Sequence, residues 1–211
     1  MTEIFNDIEE LIKKDEKLID IWGRRTPKFE KKYEQSVLRP LSNYGVGSSE
    51  DTEMKGKILG AGYEPYIMAF FIGLYSNKRI PLSDDYKVLG YPLEKWGDRE
   101  ARKERSSKNT IQGYMRHQYA NLRSYMFVAL VAKTEIDWIA LDKGEIKVSA
   151  VVAALVKTME EYANYGFSVM EEKLKSDKGY FYSNRAFLDL FLQLTEKNDS
   201  FDEEIDAPEE L

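Results

Sequence analysis

The chain has 211 residues, no cysteine, one histidine and a formal net charge of −6. This length suits a single domain and buries an ordinary core without disulfides. The lack of cysteine excludes a disulfide framework, an iron–sulfur cluster and a thiolate zinc site, and one histidine excludes every multi-histidine metal site. We therefore expect no cofactor, with a carboxylate-only magnesium or calcium site as the one metal centre left open.

The hydropathy pattern gives no membrane-spanning segment. The longest apolar runs, residues 66–75 and 125–132, are far shorter than the roughly 20 residues that a spanning helix needs. The first residues are mixed in charge and lack the compact apolar region and small-residue cleavage site of a signal peptide. The sequence therefore predicts a cytoplasmic protein without a membrane partner.

The negative charge is concentrated near the C-terminal end. Residues 198–211 contain seven Asp and Glu and no Lys or Arg, which leaves residues 1–197 with a net charge of +1. A composition of this kind is typical of disorder. We expect one helical domain over residues 1–197, followed by a disordered acidic tail.

Two helices and an insertion are predicted in the first third of the chain. Apolar residues recur every three or four positions over residues 3–22, and Gly23 ends this stretch. Residues 27–38 predict a second helix, with Pro27 in its first turn. Residues 42–62 are rich in Gly, Ser and charge and have no apolar period, which predicts an irregular insertion.

The rest of the chain predicts further helices around a second insertion. Residues 65–76 are apolar all round, which favours a helix enclosed on every side, with a buried strand as the alternative. Residues 77–107 predict the second irregular insertion, with room for a short hairpin. Helices are predicted over 108–133, with a stripe that includes Leu122, Met126 and Ala129, over 146–175 and over 180–196. The predicted fold is all-α, an irregular bundle of about six helices with long loops.

Motifs for catalysis are missing from the sequence. The glycines of residues 45–62 match neither the dinucleotide fingerprint nor Walker A spacing, and there is no nucleophile elbow. His117 has no acidic neighbour at helical spacing to orient it as a base. Adjacent acids on a helix point about 100° apart, so the paired acids are interpreted as solvated surface. These pairs are Asp84 and Asp85, Glu135 and Asp137, Glu160 and Glu161, and Glu171 and Glu172.

Two basic stretches suggest contact with phosphate groups. Residues 99–123 carry a net charge of +5 with tyrosines interleaved, and residues 24–39 carry +4. If both converged on one face, they would form a nucleic-acid footprint for which the acidic tail could compete. The candidate nucleic-acid-binding residues are Arg99, Arg102, Lys103, Arg105, Lys108, Arg116, Arg123, Lys78 and Arg79.

Residues 66–82 resemble a known family. An apolar segment ends in Gly73 and Tyr75, and after Asn77 comes a basic-basic-aliphatic-Pro-Leu sequence, residues 78–82. This pattern resembles that of small accessory proteins encoded beside bacterial DNA phosphorothioation (Dnd) gene clusters. The resemblance covers these residues alone, and it implies an accessory role in DNA modification or phage defence, without catalytic residues to carry over.

The same residues also suit a simple helix stop. Asn77 can end a helix in the left-handed conformation, and Lys78 and Arg79 are favoured beside the negative end of the helix dipole. Pro81 prevents the helix from continuing.

These observations predict a non-enzymatic accessory or adaptor protein that works with a protein partner in a bacterial complex acting on DNA. The first alternative is a direct nucleic-acid-binding protein that uses residues 99–123. The second is an Asp/Glu-dependent metal enzyme.

Overall fold

A computed structural model describes residues 17–45, 58–59, 61–96 and 121–194 of the chain. The described residues are mostly helical, which confirms the helical class, and they add a small two-stranded sheet. The chain divides into two compact units. Unit 1 contains residues 17–27 and Gly90–Thr158, and unit 2 contains Lys28–Leu89 and residues 159–194. Each unit is therefore assembled from two separate stretches of sequence.

The elements follow in chain order. Helix α1 spans Leu18–Gly23, strand β1 Lys28–Glu30, a π-helix Glu34–Leu38, helix α2 Arg39–Leu41 and helix α3 Tyr63–Tyr75. Strand β2 spans Tyr86–Val88, a 3₁₀ turn Leu93–Lys95, helix α4 Leu122–Lys133, helix α5 Trp138–Asp142 and helix α6 Val148–Ser176. A 3₁₀ turn at Tyr180–Tyr182 precedes helix α7, residues 186–194. None of the described helices is both long enough and apolar enough to cross a membrane.

An aromatic cluster forms the centre of unit 2. The ring of Phe167 on α6 stacks on Tyr33, with centroids 5.2 Å apart. It also meets Tyr66 of α3 edge-on at 5.5 Å and lies 6.5 Å from Phe29 of β1. All four side chains are at most 2% exposed. Helix α3, predicted from its all-round apolar sequence, is confirmed and lies in this core.

Helices α3 and α6 approach each other at backbone distance inside unit 2. A Cβ atom at Gly73 of α3 would lie 2.1 Å from the carbonyl oxygen of Tyr162, and one at Gly166 of α6 would lie 1.8 Å from that of Ala69. Each glycine therefore faces the backbone of the other helix. Any larger residue at either position forces the helices apart.

The two strands of unit 2 pair antiparallel, with Phe29 opposite Lys87. The prediction of a helix over 27–38 is therefore wrong for its first turn, where Lys28–Glu30 is extended. The reason is long-range: the Lys28 amide donates to Glu160 of α6 at 2.8 Å, and its carbonyl accepts from the Tyr66 hydroxyl at 3.1 Å. These contacts and the strand pairing take the hydrogen bonds that a helical turn would have used.

Unit 1 has a small core built around Trp22 at the end of α1. Trp22 is fully buried, and its ring lies 5.6 Å from that of Phe127 on α4. Of the predicted stripe of α4, Met126 is buried and Leu122 and Ala129 are half-buried, and the buried Leu130, which was not predicted, completes this inner face. Helix α5 begins at an N-cap, where the Asp137 carboxylate accepts from the Ala140 amide.

Two further helix predictions differ from the structure. A single helix over 108–133 is wrong, because Asn121 has a φ of +64° and the helix begins at Leu122. A left-handed residue cannot continue a right-handed helix. The segment 180–196 is a 3₁₀ turn followed by α7 rather than one helix. The predictions for residues 3–16, 46–57, 98–120 and 198–211 lie outside the described residues.

Candidate functional site

The predicted nucleic-acid-binding residues are only partly within the described chain, which contains Arg123, Lys78 and Arg79. Arg123 of unit 1 lies 3.8 Å from the carboxylate of Asp20. In unit 2, the Lys78 ammonium lies 5.9 Å from the centre of a tyrosine ring, and Arg79 lies 3.9 Å from Glu161. The other six residues lie outside the described part, so nucleic-acid binding through residues 99–123 stays a prediction.

Within unit 2, cations of the second basic stretch, residues 24–39, form ion pairs with neighbouring acids. Each of its ion pairs joins a cation to an acid of the same unit. The pairs are Lys31 with Asp85, Lys32 with Glu30 at 2.6 Å, and Arg39 with Glu34 at 2.7 Å, and Lys87 of β2 also pairs with Glu34. The four Lys and Arg and the two Glu of residues 28–39 still leave this part of the stretch with a net charge of +2.

A buried polar cluster holds the segment that leads from α3 to β2. Asn164 of α6 is 2% exposed, and its amide group donates to Glu30 at 3.1 Å and to the carbonyls of Ile80 and Pro81. Glu30 also accepts from the amide of Ser83 at 2.9 Å. Burial raises the pKa of Glu30, but hydrogen bonds from Lys32, Ser83 and Asn164 outweigh it, so this pKa lies below its ordinary value.

Glu160 of α6 is a second acidic side chain that is partly buried in unit 2. Burial raises the pKa of Glu160, against the opposing effect of the hydrogen bond that it accepts from Lys28. The interpretation of the pair Glu160 and Glu161 as solvated surface is therefore wrong for Glu160, because the amide of Lys28 needs an acceptor there. Among the described residues, no three acidic or histidine side chains come together to hold a metal ion. We interpret these buried groups as structural.

Helix α4 in unit 1 has apolar side chains on two different faces. Its inner face, with Met126 and Leu130, is buried. The other face, here called the outer stripe, consists of Tyr125, Val128 and Ala132, which share one side of a helix by their spacing. Tyr125 is 67% exposed and Val128 64%. A helix that is apolar all round is usually enclosed on every side, but the outer stripe is open.

More exposed apolar side chains follow in unit 1. Trp138 and Ile139 at the start of α5 are 40% and 69% exposed, and Val148 at the start of α6 is 41% exposed. Single exposed apolar residues are common on protein surfaces. Unit 2 exposes a similar number of large apolar side chains, among them Tyr75 and Tyr182, so exposure alone does not distinguish the two units.

The sequence already contained a signal for the outer stripe. Residues 125–132 form one of the longest apolar runs in the chain, longer than one buried helix face requires. A stripe through Leu122 and Met126 accounts for one face of α4. Tyr125 and Val128 point about 100° or more away from Met126 around the helix, so a single buried face does not account for them.

Comparisons with known proteins give no match, so the interpretation depends on the structure. No protein-family model, curated protein or solved structure matches this chain.

Proposed function

We propose that this protein is a non-enzymatic adaptor, and that unit 1 binds a partner protein through the outer stripe of α4. The observation that carries the proposal is the second apolar face of this helix. The inner face accounts for the packing of α4 in unit 1, whereas Tyr125 and Val128 are about two-thirds exposed. A partner that covers them would enclose α4 on both sides.

The chemistry of the outer stripe suits protein association. Burying a side chain such as valine or tyrosine in an interface contributes roughly 1.5–3 kcal/mol. Tyrosine is also enriched among the residues that dominate binding energy. Helix α4 contains no acidic residue, and its charged side chains, Arg123 and Lys133, lie near its two ends. The stripe between them is uncharged, so covering it buries no unpaired charge.

The class of complex is also part of this proposal. The resemblance of residues 66–82 to accessory proteins of DNA phosphorothioation clusters supports a bacterial complex that modifies DNA or defends against phage. The structure gives these residues a local role as well. Asn77 has a φ of +47°, and the amide of Lys78 donates to the carbonyl of Gly73, which ends α3 as a helix stop does.

Co-purification from the native cells tests the proposal. The tagged chain is compared with the double variant Tyr125→Ser and Val128→Ser. We expect a stoichiometric partner with the parent and at least a tenfold loss of that partner with the variant. The melting temperature should change little, because both side chains are mostly exposed.

A matched control uses unit 2. The double variant Tyr182→Ser and Leu188→Ser removes a tyrosine and an aliphatic residue that are 64% and 55% exposed. It should retain the partner. If both double variants retain it equally, or if the parent is recovered without any partner, the proposed function is wrong.

A further inference from the structure

The small sheet of unit 2 has two edges, and the described residues cover only the edge at β1. There the Lys28 amide donates to Glu160 of α6, and the Lys28 carbonyl accepts from Tyr66 of α3. Strand β2, Tyr86–Val88, pairs with β1 alone, and all three of its residues are exposed. The fold therefore protects the edge at β1 and leaves the edge at β2 open to solvent.

The main-chain groups of Tyr86 and Val88 point away from β1. In an antiparallel pair, every second residue directs its N–H and C=O to the other strand. The Lys31 amide donates to the Asp85 carbonyl at 3.0 Å, so Asp85 and Lys87 face β1 and their neighbours do not. None of the described residues forms a backbone hydrogen bond with the open side of Tyr86 or Val88. An edge of this kind is a template on which another strand can pair.

The side chains along this edge differ between its two faces. Successive side chains of a strand point to opposite faces of the sheet. Tyr86 and Val88, which are 40% and 51% exposed, share one face. Asp85 and Lys87 share the other, and their side chains are 69% and 45% exposed, although each also pairs with a charge of its own unit. One face of the edge therefore presents an acid and a base two positions apart.

This spacing makes β2 complementary to itself. When the strand pairs antiparallel with its own copy about a two-fold axis at Tyr86, Asp85 lies opposite Lys87 of the second copy, and Lys87 lies opposite Asp85 of the second copy. Opposite charges at facing positions stabilise a sheet, and like charges destabilise it. With the axis at Lys87, two lysines would face each other. Charge therefore selects the register that is centred on Tyr86.

We infer that two copies of this chain associate through β2 and form a four-stranded sheet in the order β1-β2-β2-β1. The main-chain N–H of each Tyr86 donates to the Tyr86 carbonyl of the other copy, and two Asp85–Lys87 pairs flank this centre. A lysine on an edge strand usually opposes pairing, but here an acid lies opposite it. A two-fold interface uses the same surface of both copies. The contact lies in unit 2, so it does not rest on the proposed function, which concerns α4 of unit 1.

Disulfide trapping in the full-length chain tests the contact directly, because the chain has no cysteine of its own. Facing residues of a hydrogen-bonded antiparallel pair have Cα atoms about 5.5 Å apart, which a disulfide can span. Under mild oxidation, we expect Tyr86→Cys to form a covalent dimer at least fivefold faster than either of two control variants.

The controls are exposed residues of the same unit. Val88→Cys lies on the same strand, but in the inferred register the two copies of this position are offset by four residues, about 13 Å. Tyr182→Cys replaces a tyrosine that is 64% exposed outside the sheet, so it measures random collision. Equal rates for the three variants, or the fastest rate for Val88→Cys, overturn the inference.

A charge exchange tests the register without cysteines. Asp85→Lys and Lys87→Asp each place like charges opposite one another, so each variant alone should associate at least fivefold more weakly than the parent. A mixture of the two variants restores both opposite-charge pairs and should associate as the parent does. Sedimentation over a range of protein concentrations measures the association.

The mixture also controls for damage to the fold, because each variant breaks an ion pair within unit 2. Recovery of association in the mixture shows that both chains are folded and that the facing charges caused the loss. A mixture that associates no better than the single variants, or a parent that stays monomeric at every concentration, overturns the inference.

Discussion

The two units use their apolar side chains in different ways. The largest fully buried side chains of unit 2 include Tyr33, Tyr66 and Phe167, which meet in one aromatic cluster. In unit 1 they are Trp22, Leu93 and Met126, while α4 and α5 keep large apolar residues exposed. Unit 2 therefore has the larger core, although it too leaves apolar side chains exposed, among them Tyr182 and Leu188. The comparison assigns the larger and more stable core to unit 2.

The centre of the aromatic cluster should be the most sensitive position. We expect Phe167→Ala to lower the free energy of unfolding by about 4 kcal/mol, because truncation of a buried aromatic side chain leaves a cavity. Met126→Ala in unit 1 should cost about 2 kcal/mol in its smaller core. Urea unfolding monitored by hydrogen exchange measures both. A larger loss for Met126→Ala would reverse the assignment of stability to unit 2.

The close helix contact in unit 2 gives the next largest effect. Gly166→Ala should destabilise by about 3 kcal/mol, because its Cβ would lie 1.8 Å from a backbone oxygen of α3 and the helix must move. The gain of about 1 kcal/mol in helix propensity does not offset this. The measurement is the urea midpoint.

Gly23→Ala in unit 1 is the matched control for that substitution. Its new Cβ would find its nearest neighbour at 3.5 Å, an ordinary contact with the flexible Arg123 side chain. It should be neutral or slightly stabilising. Equal losses for the two glycine variants would show that the α3–α6 contact can adjust.

The smallest effect concerns the pH dependence of unit 2. Hydrogen bonds from Lys87 and Arg39 hold the pKa of Glu34 below its ordinary value of 4.5. A carboxylate of this kind stabilises the fold above that value, and the contribution is lost as the pH falls through the lowered pKa. Glu34→Gln should therefore lower stability at pH 7 and flatten its decline between about pH 5 and pH 3.

Glu160→Gln should act in the opposite direction. Burial raises the pKa of Glu160, so its charged form opposes folding at neutral pH. The amide keeps an acceptor for Lys28, and the variant should be as stable as the parent or more so at pH 7, with this gain vanishing in acid. Urea titrations at each pH measure the stability of both variants. Parallel pH profiles for Glu34→Gln and Glu160→Gln would contradict both pKa assignments.

The sequence predicted the helices that are determined by residues close together in the chain. The apolar run of α3, its end at Asn77 and the long α6 follow from periodicity and helix-stop chemistry. Strand β1 was missed because Glu160, 132 positions away, fixes the amide of Lys28. The left-handed Asn121 was missed because an apolar stripe continues on both sides of it in the sequence.

The candidate site was less accessible from the sequence than the fold. Periodicity identifies the inner stripe of α4, but which of two apolar faces becomes buried depends on Trp22, about a hundred positions away. The basic residues show the same limit. A count of charges gave residues 24–39 a net positive charge, but it could not show that Lys31, Lys32 and Arg39 are held in ion pairs within unit 2.

The interleaving of the two units sets the order in which the chain can complete its fold during synthesis. Unit 2 needs residues 28–89 and those from Met159 onward. The roughly 70 residues between them take about 4–14 s to make at 5–20 residues per second. Throughout that time α3 has emerged without α6, and its apolar surface lacks the helix that covers it. The nascent chain is therefore expected to depend on chaperones from the synthesis of residue 89 until that of the residues after 158. A ribosome stalled after residue 158 should hold unit 2 in a protease-sensitive state.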